Sequence, residues 1–142
     1  MATFIDTDTD VDSHVAIIGA SLLDKNLESA ILSKMRPLPR DIKDRIFDGY
    51  GPLSTFAGKI DIAFALEIIP REFYSALKTI NKVRVKFAHS MKYLTFQDPE
   101  ISALIDSLLG LDLTLVDRRN GYLHKIAELA ASLEMIRKSP TK

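Results

Sequence analysis

The chain has 142 residues, 46% of them hydrophobic, with 19 basic and 19 acidic residues, a formal net charge of zero and no cysteine. That length suits one compact domain that buries roughly 68–70% of the surface its unfolded chain exposes, so a core can form without staples. Charge balance excludes a surface built as a whole to grip nucleic acid, and the missing cysteines exclude disulfides, thiolate metal sites and thiol nucleophiles.

The opening MATFIDTDTDVDS has no basic region followed by an apolar one, and no apolar run reaches the roughly 18 residues needed to span a bilayer. A cytoplasmic protein with no membrane association is expected. Asp6, Asp8, Asp10 and Asp12 alternate like the start of a calcium loop, but neither register brings Gly to the sixth position or Glu to the twelfth. Residues 1–12 therefore read as a flexible, solvated acidic lead-in, and no metal or cofactor is expected. Asp12 or Ser13 caps a first helix to about Met35, with Ile17, Ala20, Leu23, Leu27, Ala30 and Ile31 among its apolar positions. Pro37 and Pro39 end it. A short helical turn follows over Arg40–Phe47, then the turn cluster Asp48-Gly49-Tyr50-Gly51.

Pro52 suits the first turn of a helix from Leu53 to Ile69 that is apolar nearly all round, through Phe56, Ile60, Ile62, Phe64, Leu66, Ile68 and Ile69. This helix should be central and largely buried. Pro70 opens the next, which runs to about His89 or Met91 and holds the most distinctive stretch of the chain. Between Leu77 and Tyr93, Lys78, Lys82, Arg84, Lys86, His89 and Lys92 occur with no acid. At about 100° per residue, Phe73, Leu77, Ile80 and Phe87 share one face, and Lys78, Lys82 and Lys86 form a stripe on the other. Arg84 falls within the apolar face, where a guanidinium needs a buried acid or an opening in the core.

Asp98-Pro99 starts a further helix carrying Ile101, Leu104, Ile105 and Leu108, with Gly110 as its stop. Leu111–Val116 alternates briefly but has no strand partner, and reads as a linker or the first turn of the last helix. That helix spans about Asp117 to Arg137, with Tyr122, Ile126, Leu129, Ala130, Leu133 and Ile136 inward, and residues 139–142 fray. The expected architecture is all-α: a single-domain helical bundle over residues 13–138, five long helices and one short, mostly antiparallel. The small residues Gly19-Ala20-Ser21 and Ala57-Gly58 predict close approach of the first and third helices.

GPLSTFAGKIDIAFALEII (Gly51–Ile69), KVRVKFAHS (Lys82–Ser90) and QDPEI (Gln97–Ile101), with the leading IIGASLLDKNLESAI (Ile17–Ile31), resemble the bacterial mannitol operon repressor family. The resemblance covers about Ser13–Leu109 and implies an all-helical, self-associating domain, here expected as a homodimer, that serves as a transcriptional regulator without a helix-turn-helix. RVKFAH also looks like the arginine, four residues, histidine signature of the HEPN superfamily, whose helical bundles dimerise and in some members cut RNA without metal; the fold expected is HEPN-like. Arg84 and His89 hold the two signature positions. The resemblance implies a polar residue, typically Asn, after the arginine in active members, whereas Val85 stands there. Arg119 and His124 repeat the spacing, with Asn120 in between.

In such a ribonuclease the histidine would move a proton at the 2′-hydroxyl or leaving oxygen, and the arginine would stabilise charge on the phosphate. Five residues on a continuous helix turn about 140°, so the two side chains meet only if the helix ends near Ala88 or a second subunit completes the site. The structural alternative is a buried ionic cluster of Lys59, Asp61, Glu67 and Arg84. A third reading gives Lys78, Lys82 and Lys86 weak, salt-sensitive, sequence-blind phosphate contacts. The resemblance to the mannitol operon repressor family favours a non-enzymatic regulatory or protein-interaction module over the ribonuclease and the nucleic-acid binder, while the residues alone establish a helical domain with a charged feature in its apolar face.

Overall fold

Six helices carry the chain: α1 (Thr7–Ser33), α2 (Arg40–Phe47), α3 (Phe56–Ala65), α4 (Arg71–His89), α5 (Pro99–Leu109) and α6 (Arg118–Lys138). The structure is a computed structural model that describes residues 7–90, 93–110 and 117–140, and no strand occurs among the described residues. The protein is all-α. The expected linker at Leu111–Val116, together with Asp6, Lys92 and the last two residues, lies outside the described residues.

Local chemistry accounts for most boundaries. Thr55 caps α3 by accepting the Gly58 N–H at 3.0 Å, and Asp117 caps α6 by accepting the Asn120 N–H at 2.8 Å. Pro99 occupies the first turn of α5, where its missing N–H costs nothing, and Gly110 stops that helix at φ 68°. Two boundaries differ from the sequence reading. Helix α1 starts at Thr7, ahead of the start expected at Asp12 or Ser13. Helix α3 covers only Phe56–Ala65, because Glu67 takes φ 61° and closes a Schellman motif. In that motif the Ile68 N–H reaches the Ala63 carbonyl at 2.8 Å and the Glu67 N–H reaches the Phe64 carbonyl at 3.0 Å. Glycine is the usual residue there, and a side chain in the left-handed region costs about 1–2 kcal/mol.

Nor is α3 buried all round. Phe56, Lys59, Ile60 and Ala63 form its inner face, while Ile62 and Leu66 are exposed. The apolar composition of this segment exceeds what one helical face can bury, which is why periodicity overstated its burial.

The chain divides into two compact units, one of residues up to Ser21 with Thr79–Glu128, the other of Leu22–Lys78 with Leu129–Lys142. In the first unit Phe87, Phe96 and Tyr122 stack in tilted contacts with ring centroids 5.5 and 5.2 Å apart. Tyr122 is fully buried, and its hydroxyl donates to the Ala16 carbonyl at 2.8 Å. Burial pushes its pKa far up, with the positive charge of Arg84 acting in the opposite direction. A Cβ on Gly19 would lie 3.3 Å from Tyr122 and from Ile126, so the close approach there is between α1 and α6, not α1 and α3. Gly58, for its part, sits against its own turn, near Thr55 and the Pro52 carbonyl.

Asp12 is 2% exposed. One carboxylate oxygen accepts the Phe96 N–H at 2.9 Å and the other accepts Arg119 Nε at 2.5 Å. A side chain expected in solvent thus ties α1 to the segment before α5 and to the start of α6. Asp106 and Arg118 add a bidentate pair at 2.8 and 3.1 Å, and the Arg118 guanidinium holds the Asp106 carboxyl below its usual range. In the second unit the core comprises Leu23, Leu27 and Ile31 of α1, Phe56 and Ile60 of α3, Leu77 of α4, and Leu129 and Leu133 of α6.

Asp12→Ala removes the acceptor of the buried Phe96 N–H and one ion-pair partner of Arg119, and is expected to cost about 2 kcal/mol in urea unfolding; an unchanged midpoint would rule out this role. A carboxyl whose folded-state pKa is lowered contributes stability that is present above its ordinary value, 3.8 for Asp106, and is lost as pH falls through the lowered value. The Tm deficit of Arg118→Ala is therefore expected to be full above about pH 4 and to shrink in thermal unfolding at lower pH.

Candidate functional site

Helix α4 carries the candidate catalytic and phosphate-binding side chains. Leu77, Ile80, Val83 and Phe87 are its buried stripe, and Arg84 lies about 40° to one side of that stripe's centre. Arg84 is accordingly half-buried, and its Nη2 and Nε donate to Asn81 Oδ1 at 3.1 and 3.4 Å. No carboxylate lies within 4 Å of it among the described residues. The long stem covers apolar surface while the guanidinium reaches the edge, so the arginine needs no buried acid.

His89 is exposed and is the last residue of α4, which stays helical through it. Arg84 and His89 therefore project about 140° apart on one continuous helix and do not converge within a single chain. The second string is also dispersed: Arg119 is bound to Asp12, and His124 is exposed.

The expected cluster of Lys59, Asp61, Glu67 and Arg84 does not form. Lys59 is 4% exposed, but its Nζ pairs with Asp24 at 2.7 Å and Glu28 at 3.3 Å, both on α1. Asp61 is exposed, accepts from the Tyr74 hydroxyl at 3.2 Å and pairs with Lys78 at 3.2 Å. Glu67 is exposed in the Schellman turn. Two residues, about 200° or roughly half a turn of helix, separate Lys59 from Asp61, and this offset sends the lysine inward and its neighbouring acid outward.

The lysine stripe is only partly available. Lys78 is half-buried, held by Asp61 and set 5.5 Å from the centre of the Tyr74 ring, whereas Lys82 and Lys86 are exposed. Beside it Arg71 stands 4.9 Å over Phe64, which contacts Tyr74 at 4.7 Å. Among the described residues no group of His, Asp or Glu is arranged to hold a metal, and no helix is long and apolar enough to cross a membrane.

The sequence reading missed a groove of about 440 Å³ in the second unit, lined by Leu66, Glu67, Ile68, Ile136, Ser139 and Lys34. Lys34 Nζ donates to the Ser139 carbonyl at 2.8 Å and to its hydroxyl at 2.9 Å. These residues are 105 apart in sequence, and nothing in their spacing signals the pairing. No family model matches the chain, and no curated protein or solved structure matches it either.

Lys59→Ala strands two neighbouring carboxylates and is expected to cost about 3 kcal/mol in denaturant unfolding. Asp61→Ala, which removes only an exposed pair, should cost under about 1 kcal/mol. Equal losses would restore the cluster that the sequence suggested.

Proposed function

We propose that this protein is a non-catalytic regulatory module of the mannitol operon repressor type, acting by protein contact and as a homodimer in the cytoplasm. The observation that supports this reading is a second apolar stripe on α1. Val11, Val15, Ile18 and Leu22 recur at i, i+4, i+7 and i+11, and Val11, Ile18 and Leu22 are 42%, 55% and 47% exposed. The inner face of the same helix is already filled by Ala16, Ala20, Leu23, Leu27, Ala30 and Ile31. A helix that is apolar on two faces is suited to a second packing partner, and α1 of another copy, run antiparallel about a two-fold axis, offers a matching stripe.

Under this reading Arg84 and His89 do structural work at the edge and end of α4. Nucleic-acid contact is the weaker alternative, because Asp61 already neutralises Lys78 and leaves Lys82 and Lys86 as the exposed pair of the stripe. Two phosphate contacts give only a shallow salt dependence and low affinity.

Sedimentation of wild type beside Ile18→Glu tests the proposal. Wild type is expected to be dimeric at micromolar concentrations and the variant monomeric, with unchanged helical circular dichroism. A wild type that stays monomeric contradicts it.

A further inference from the structure

We infer that the groove between the end of α3, the end of α1 and the end of α6 is a binding site for a small zwitterion with an aliphatic body, of the class of free branched-chain α-amino acids. All of its lining residues belong to the second unit, and the inference does not depend on the oligomeric state. A volume of about 440 Å³ is within the range that holds small ligands.

Two charged groups of opposite sign line it, and neither is neutralised. Lys34 spends two of its three N–H donors on the carbonyl and hydroxyl of Ser139 and has no carboxylate within 4 Å among the described residues. Glu67 is exposed, and no hydrogen bond or ion pair engages its carboxylate among those residues. The two are not paired with each other. The apolar lining is Leu66, Ile68, Ile136 and Pro140. The Ser139 hydroxyl is already committed, donating to the Ile136 carbonyl at 2.8 Å, so the remaining N–H of Lys34 is the donor left for an anion. An α-amino acid fits this division of chemistry: its carboxylate to the ammonium of Lys34, its ammonium to Glu67, and its branched side chain to the aliphatic walls.

The backbone supplies an independent sign. Glu67 is the only non-glycine residue with positive φ among the described residues, at 61°. It occupies the position of its Schellman turn where glycine is favoured, so a carboxylate is carried there against conformational preference. Strain of this kind is concentrated at functional positions. It also makes the test clean, since Glu67→Gly relieves the strain while removing the carboxylate.

Thermal unfolding and calorimetric titration with L-leucine test the site, alongside leucinamide, which lacks the carboxylate, and 4-methylpentanoate, which lacks the ammonium. Wild type is expected to bind leucine saturably with a raised Tm, and each truncated probe to bind at least about tenfold more weakly. Glu67→Gly should melt higher than wild type without ligand and lose the leucine-dependent shift, and Lys34→Gln should lose the shift as well. The inference is overturned if leucine produces no shift in wild type, if either truncated probe binds as well as leucine, or if Glu67→Gly retains the shift.

Discussion

A buried charge must find a partner inside the protein, and in each unit this requirement joins segments that are far apart in sequence. Asp12, at 2% exposure, accepts from the backbone of Phe96 and from Arg119, 84 and 107 residues away. Lys59, at 4% exposure, draws in Asp24 and Glu28 from α1. Non-directional apolar packing tolerates slippage of a helix along its neighbour, whereas an ion pair at 2.5–2.7 Å does not. Among the described residues no buried side-chain nitrogen or oxygen is left without a partner. The aromatic stack of Phe87, Phe96 and Tyr122, anchored through the Tyr122 hydroxyl to Ala16, depends on the register that Asp12 sets.

Several charges that look chemically suggestive in the sequence are engaged by neighbouring side chains in the fold. Arg84 stands where a helical wheel places it inside an apolar stripe. A displacement of about 40° from the stripe centre is enough for its stem to pack and its guanidinium to reach Asn81. Arg119 has the spacing of a catalytic arginine and is bound to Asp12. Lys78 begins a basic stripe and pairs with Asp61. Lys82, Lys86 and His89 remain exposed, as do aliphatic side chains of α1 and the groove lined by Lys34 and Glu67.

Signals that act over three or four residues were legible. Asp98-Pro99, Gly110 and Asp117 each mark a helix end for local reasons, and six helices could be counted from them and the apolar periods. Tertiary choices were not. The small residue Gly19 announced a close approach but not that Tyr122 and Ile126 of α6 would fill it. Asp24 and Glu28, one turn apart beside the buried positions Leu23 and Leu27, were the visible sign of a buried cation to come, yet only the fold identifies it as Lys59. The early end of α3 was hidden because Glu67 occupies a turn position that sequence reading reserves for glycine or asparagine.

The most direct measurement for the proposal that this is a non-catalytic module is incubation of wild type with labelled single-stranded RNA in EDTA beside folded Arg84→Ala and His89→Ala variants. The account predicts intact RNA in all three. Cleavage by wild type that both substitutions abolish would contradict it and identify a metal-independent ribonuclease.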